Sequence, residues 1–413
     1  MVGTSINLNQ WPVPVPEGID LEHDVRRELL NMGAEYVWVD VLCLRQVSAP
    51  RYDGWDVYFE NERRDEWKLD VPTIGNIYRA AVGIARYFNS LRQSFSVDGW
   101  DDSRHWLRRA WTFQEIRSEN TTYNAGITSA RGHIIMDTIN NRNITLRQAL
   151  HPILKLAAQV DSRSGCSVYK LVKQMAQRYA TQPTDKVSGL LYLLRITQLP
   201  TYDAGITDEA AWARCFHVLP FERKIEILFD FPYSSDNSTT HGSRWFPAWK
   251  QLMEWPEREP AYNHKMARYP QNPAHQNLAE AQKIEHVLVS DIWAIPDVRV
   301  CQTEEQPTFR VDIIIGGKTF AFYYPYVCQQ PLEESSCERY TLVTTYPDYS
   351  YNWVVCESLG MRNEYYTTPG GEKTAEVEVL RKVGVLRTDA CSEFVLRDGR
   401  SDSILKKINA LFI

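Results

Sequence analysis

The sequence predicts an α/β protein. A mostly parallel sheet with flanking helices is expected first, then a helical middle, then a β-rich C-terminal region. Three observations predict it. The run "YVWVDVLCL" (Tyr36–Leu44) is almost unbroken apolar and rich in β-branched and aromatic residues, as a strand buried on both faces reads. Helix-like and strand-like stretches alternate from Asp20 to Ile127, the order that crossovers in a parallel sheet produce. From about Phe309 onward, alternating strands and a Gly316-Gly317 turn mark antiparallel hairpins. The expected divisions are 1–130 for the α/β domain, 131–205 for the helical region and 206–413 for the mixed remainder, with antiparallel sheet from about 309.

The elements follow in order. "WPVPVPEG" (Trp11–Gly18) excludes helix, because its alternating prolines hold the backbone extended. A helix fits Asp20–Met32, with Asp20 as N-cap, Leu21, Val25 and Leu29 as one apolar stripe, and Gly33 as the stop. After the strand Tyr36–Leu44 comes "RQVSAPRYDGWDVYFENERRDEWKLD", long, charged and aromatic, which reads as a functional or mobile loop. Pro72 then sits near the first turn of a second helix carrying Ile74, Ile77, Tyr78 and Ala81. Val82–Phe88 is the second strand. Asp101, Asp102 or Ser103 caps a third helix to about Ser118, and Thr121–Ile127 is the candidate third strand. Residues from about Ile144 to Leu194 read as helical, with Val168, Leu171, Val172, Met175 and Tyr179 as a core stripe. A polar gap at Thr201–Asp208 marks a boundary. "FRVDIII" and "KTFAFYY" flank the glycine turn, and "RYTLVTTY", "YNWVVCES" and "AEVEVLRKVGVLR" continue the β pattern.

Composition narrows the function classes. With 44% hydrophobic and 24% charged residues, the chain supports a sizeable core and is not globally disordered. A formal net charge of −6 and no long Lys/Arg run argue against nucleic acid as partner. The 8 cysteines are scattered with no C-x-x-C pair, which argues against a zinc site and a dense disulfide framework. Reduced thiols, no N-terminal signal pattern and no apolar run near the roughly 20 residues of a bilayer span describe a soluble cytoplasmic protein. Neither phosphate-cradling glycine motif, nucleophile elbow nor H-E-x-x-H is present, so no cofactor or metal is expected.

Several segments together resemble one family. "YVWVDVLCLRQ" resembles the "YLWIDSLCIIQ" block of the fungal heterokaryon incompatibility domain, "VPTIGNIYRAAVGIA" its "M-x-x-IY-x-x-A" block, and "WLRRAWTFQE" its "R-G-W-T-x-Q-E" block. The three stand in the family's order and spacing over roughly residues 19–127. "RYATQPTDKVSGLL" (Arg178–Leu191) is similar to the downstream "R-x-x-D-P-R-D-K-V-Y-A-L-L" segment, and "RWFPAWKQLMEWP" to a later Trp-rich one. Nothing in Met1–Asp20 matches the "SY-x-W" block that usually opens such a domain, so the resemblance predicts an N-terminally incomplete or degenerate copy. It implies self/non-self recognition and cell-death signalling, through an unidentified protein partner or self-association. It also implies a fold similar to Toll/interleukin-1 receptor (TIR) domains, a flavodoxin-like arrangement. Some TIR domains cleave NAD, using a glutamate in a Trp-containing helix block, and Glu115 holds the similar place. NAD then enters as a candidate substrate.

The residues themselves leave the role of Glu115 open. On a helix, Leu107, Trp111 and Glu115 share one face at i, i+4, i+8. Turned inward, the acid is desolvated and suited to stabilising positive charge on a ribose. Turned outward, it pairs with Arg108 or Arg109 or simply ends the helix. Asp40, near a strand's carboxyl end, either borders a ligand crevice or holds loop amides. Arg45 and Gln46 either meet a phosphate or carbonyl or are solvated loop residues. Trp38 and Trp111 either stack on a ligand or fill the core, and His105 is a surface residue or a base. Asp185, before Lys186, reads as a helix cap or local ion pair. The candidate site is Glu115 as catalytic acid with Asp40, Arg45 and Trp111 as substrate-binding residues.

Overall fold

The fold comes from a computed structural model. It describes residues 20, 23, 25–31, 33–46, 56–87, 102–103, 105–116, 126–127, 166–231, 245–254, 287–305, 308–315, 318–324, 339–344, 352–368, 371–387 and 406–412. The chain forms two compact units, Met1–Leu219 and Pro220–Ile413.

The N-terminal unit is not the expected parallel sheet. Helix α1 (Arg26–Asn31) is preceded by Asp20, whose Oδ1 accepts the His23 amide at 3.0 Å. It closes on Gly33 at φ +79, with Gly33 N–H donating to Leu30 O and Ala34 N–H to Leu29 O. That pair of bonds is the left-handed C-terminal cap that glycine favours. The predicted strand Tyr36–Leu44 is corrected here. Val39 is extended, and Asp40–Cys43 is the short helix α2. Tyr36 is 94% exposed. A strand needs a neighbour for its N–H and C=O groups. Among the described residues Tyr36–Leu44 has none, while the Leu42 and Cys43 amides turn back onto Val39 O.

Helix α3 (Asp56–Ala80) is 25 residues long and takes in more than half of the predicted loop. Pro72 lies inside it rather than near its first turn. Proline has no amide to give the carbonyl four residues back. That carbonyl, Lys68 O, accepts instead from Tyr202 N–H at 3.1 Å. The only strands described in this unit are β1 (Ala85–Arg86) and β2 (Gly126–Ile127), paired in parallel over two residues each. These are remnants of the predicted second and third strands.

The predicted third helix is also corrected. It is two 3-10 turns, Trp106–Arg108 and Trp111–Glu115. Helix α4 (Val168–Ala176) follows, with Val168, Leu171, Val172 and Met175 buried as its stripe predicts, while Tyr179 lies beyond it and is 55% exposed. The predicted helical residues 144–165 lie outside the described residues. Helices α5 (Asp185–Ser188) and α6 (Asp208–His217) complete the unit.

The C-terminal unit opens with α7 (Phe221–Asp230) and α8 (Trp249–Met253) and then turns to β structure. Its strands are β3 (Val287–Glu305), β4 (Thr308–Ile315), β5 (Lys318–Tyr324), β6 (Arg339–Thr344), β7 (Asn352–Thr368), β8 (Gly371–Arg387) and β9 (Lys406–Phe412). The sheet order is β5-β4-β3-β6-β7-β8-β9, and β3 also pairs with β9. Five strands, β3, β6, β7, β8 and β9, therefore close on themselves. All pairings are antiparallel except β8 with β9. Ile315 pairs with Lys318, so β4 and β5 are paired antiparallel on either side of Gly316-Gly317, which lie outside the described residues. The antiparallel sheet begins at Val287, earlier than the expected position near 309. Ile292, Ile295, Val298, Leu342, Trp353, Val355, Leu380 and Phe412 are among its buried side chains.

Lys382 is 1% exposed in this unit. Its ammonium donates to the carbonyls of Leu228, Phe231 (2.6 Å) and Trp245 (3.3 Å). Leu228 and Phe231 stand at the C-terminal end of α7, where carbonyls lack helical partners and the helix dipole is negative. Among the described residues, no helix of the chain is long and apolar enough to cross a membrane.

Candidate functional site

Four of the quoted blocks meet in the N-terminal unit. Leu44, Val71, Ile74 and Tyr202 form a buried cluster, with Trp38, Trp67, Tyr78 and Trp111 packed against it. Glycines permit the closest approaches. A Cβ on Gly75 of α3 would lie 2.3 Å from Tyr192 Cβ and 2.5 Å from Gln114 Oε1. Gln114 in turn donates to Ser188 O at 3.4 Å.

Arg178 and the Thr112 hydroxyl together take up the carbonyls that a helix through the tryptophan block would have paired. In a continuous α-helix the carbonyl of Trp106 would accept from Ala110 N–H, and that of Arg109 from Phe113 N–H. Ala110 N–H goes to Tyr179 O at 2.8 Å instead, and Phe113 N–H to Ala110 O at 3.1 Å. Arg178 Nη1 takes both released carbonyls, Trp106 O at 3.4 Å and Arg109 O at 2.8 Å, and donates to Thr112 Oγ1 at 3.1 Å. Its guanidinium carbon lies 4.5 Å from the centre of the Phe113 ring and 5.9 Å from that of Trp106. The side chain is 2% exposed, and among the described residues its Nε and Nη2 have no acceptor. Burial pushes Arg178 down to about 9, opposed by the charge of Glu115 and reinforced by that of Arg108.

Glu115 sits at the end of the second turn. Its Oε1 accepts from the Tyr78 hydroxyl at 3.3 Å and its Oε2 from the Trp106 indole N–H. The helical face argued from Leu107, Trp111 and Glu115 does not exist. Glu115 turns to Tyr78 and Trp106, while Trp111 turns to Tyr202, 6.1 Å between ring centres, and to Asp185. Asp40 does not stand near a strand's carboxyl end, since it opens the short helix α2. Tyr78 bonds Glu115 and lies within reach of the charge on Asp40. Its hydroxyl is raised well above the usual range, first by burial and then by the charges of Glu115 and Asp40, with Arg109 opposing. Asp40 Oδ1 accepts the Val41 amide at 2.8 Å, and Arg109 lies 3.9 Å from its Oδ2.

Arg45 is already engaged. It donates to Glu66 at 2.9 and 3.0 Å and lies 3.3 Å from Glu62, while its carbonyl accepts from the Trp67 indole at 2.8 Å. Gln46 bonds the nearby Leu44 carbonyl. His105 is buried and caps the first turn, its Nδ1 accepting from Leu107 N–H at 3.2 Å.

Asp185 is a buried acid, whereas Glu115 and Asp40 are only half-buried. Its Oδ1 accepts from Tyr202 at 2.8 Å and its Oδ2 from Gln182 N–H at 3.1 Å. Burial raises its carboxyl, opposed by hydrogen bonds from Tyr202, Gln182 and Trp111. Tyr202 belongs to the polar gap that reads as a boundary, where its aromatic ring is the one signal of a core role. Among the described residues, no group of three His, Cys, Asp or Glu side chains is placed to hold a metal ion. No family model, curated protein or solved structure matches the chain.

Proposed function

We propose that the N-terminal unit is a heterokaryon-incompatibility-type module of fungal self/non-self recognition and cell-death signalling. It acts in the cytoplasm through protein contacts, and Glu115 is a structural acid within it. The biological class rests on the resemblance of the motif blocks. The non-catalytic reading rests on one observation: both oxygens of Glu115 accept from donors inside the unit, Tyr78 and Trp106. A carboxylate so occupied fastens the second 3-10 turn to α3. The test is incubation of the purified chain with NAD beside its Glu115→Gln variant. The expected result is no cleavage by either, and a variant less stable by about 1–3 kcal/mol through the lost charged hydrogen bonds. Wild-type turnover that disappears in Glu115→Gln without loss of stability overturns this reading.

That overturning result belongs to a second reading, NAD-type nucleotide hydrolysis centred on Glu115. It is favoured by the two carboxylates, Glu115 and Asp40, whose charges bear on one buried hydroxyl, with tryptophans close by. Such an arrangement suits stabilising positive charge on a ribose. Under this reading NAD is the substrate, and Trp111 faces Tyr202 rather than Glu115. Arg45 is spent on Glu62 and Glu66.

A further inference from the structure

We infer that β5 (Lys318–Tyr324) is a self-association edge, paired antiparallel with the β5 of a second copy of the chain. This edge belongs to the C-terminal unit and is independent of what Glu115 does.

β5 stands at one side of the sheet. β4 lies against it from Phe309–Tyr324 to Ile315–Lys318, and among the described residues no strand lies on its other side. In an antiparallel ladder every second residue turns its N–H and C=O away from a given neighbour. The outer side of β5 is therefore a row of hydrogen-bonding groups. Sheet edges left to solvent carry charges, proline or a bulge that discourage a further strand. β7 follows that rule. β6 reaches it only at Val354–Cys356. Beyond that contact β7 carries Glu357, Arg362 and Glu364, and a bulge between Ser358 and Gly360, with Gly360 at φ +107. β5 has none of these devices. From Thr319 to Tyr324 there is no charge and no proline, and every residue but Ala321 is β-branched or aromatic. Its pairing with β4 runs without a shift of register.

The strand's own sequence decides the occupant. Two copies of β5 running antiparallel about Ala321 pair the whole of Lys318–Tyr324. Phe320 then stands opposite Phe322, Thr319 opposite Tyr323, and Ala321 opposite itself. Lys318, the one charged residue of the strand, stands opposite Tyr324, so no like charges meet. The faces match as well. The two-residue period of the ladder places Phe320, Phe322 and Tyr324 on one face with Phe309, Val311 and Ile313 of β4. Because the axis passes through a residue, even-numbered positions meet even-numbered ones, and this apolar face runs on into that of the second copy. A foreign strand would have to bring both matches with it, whereas a second copy has them already.

The test is sedimentation velocity of the full chain over about 1–100 μM, with the melting temperature recorded for each variant. The expected result is a monomer–dimer equilibrium. Ala321→Lys should weaken it roughly tenfold, since two lysines meet at the axis. Within one chain position 321 stands opposite Asp312, so the same lysine gains an opposite charge and should keep the melting temperature. Ala321→Glu alone should also weaken the dimer, and an equimolar mixture of the two variants should restore it, lysine then facing glutamate. Ala321→Cys tests the register with a milder change. Diamide should lock it as a covalent dimer and should not lock Thr319→Cys, which would face Tyr323 rather than itself. A chain that stays monomeric throughout the range overturns the inference, whether or not another protein's strand binds it. So does association that Ala321→Lys leaves unchanged, a mixture that stays monomeric, or crosslinking no greater at 321 than at 319.

Discussion

The two units solve the pairing of buried backbone by different means. In the C-terminal unit the ladder does it, since β7 and β8 alone match residue for residue from Asn352–Arg387 to Thr368–Gly371 apart from two bulges. In the N-terminal unit regular structure keeps breaking, and distant groups take up what is released. Tyr202 serves the carbonyl that Pro72 leaves behind, and Arg178 serves those of Trp106 and Arg109. Ladder bonds survive most side-chain changes, because each residue brings its own amide. A carbonyl served by side chains, here those of Arg178 and Thr112, depends on those residues. The motif blocks are concentrated in the unit of the second kind, where a few side chains determine the backbone path.

The largest expected effect lies at the exception in the C-terminal unit. Lys382→Met should cost roughly 3–5 kcal/mol, since it strips a buried ammonium from three carbonyls and leaves them dry. Urea denaturation of the full chain measures it, and a loss under about 1 kcal/mol would mean the ladder alone holds α7. Next is Arg178→Met, with an expected cost of about 2–4 kcal/mol and altered tryptophan fluorescence as the two turns relax. In a Glu115→Gln background the same change should cost about 1 kcal/mol less, because the acid no longer loses a compensating charge. Strict additivity would show that the two charges do not sense each other.

A pH titration probes the same turn. Burial holds His105 down to about 4 from its usual 6.5, the charge of Arg108 adding and that of Asp102 opposing. A histidine depressed in the folded state gives stability that is full above the unfolded value and lost as pH falls through the folded one. Between pH 6.5 and about 4 the N-terminal unit should therefore lose about 3 kcal/mol. Protonation also costs the turn its cap, because Nδ1 must stay bare to accept from Leu107. In His105→Asn, which keeps an acceptor without titrating, that part of the acid loss should vanish from the fluorescence curve. The smallest effect is expected at Pro72. Removing a mid-helix proline commonly recovers about 3 kcal/mol, but here Tyr202 already occupies the Lys68 carbonyl. Pro72→Ala should change stability by less than about 1 kcal/mol, and a gain near 3 would mean the Tyr202 contact contributes nothing.

The same contrast explains what was legible in the sequence. The β4–β5 hairpin was readable because its period of two and its glycine turn are local signals. Gly33 was readable as a stop because its capping bonds reach back no more than five residues, whereas the helix starts at Arg26, well after the expected cap Asp20. Tyr36–Leu44 has the composition of a buried strand, but composition cannot supply a neighbour, and Asp40 opens a helix. The tryptophan block carries helical spacing, yet a guanidinium some 70 residues downstream takes its carbonyls. Glu115 and Asp40 were found as candidates, but the Tyr78 hydroxyl that bonds Glu115 was not. Arg178 and Asp185 stood in a quoted block without a role, since what gives them one is burial against residues far away in sequence. Arg45 was read as a free cation because Glu62 and Glu66 belong to a stretch read as loop.

The Lys382 ammonium carries a consequence for timing. The carbonyls it seals lie 154, 151 and 137 residues earlier in the chain. During synthesis, the helix Phe221–Asp230 leaves the ribosome long before its closing residue exists. Its C-terminal carbonyls must stay wet, or be shielded by a chaperone, until β8 has been made and has found β7. Closing a loop that long is slow and gives no return until the contact forms. The C-terminal unit therefore matures in one late step, and a chain halted before Lys382 would present an unsealed helix end to the cell's quality control.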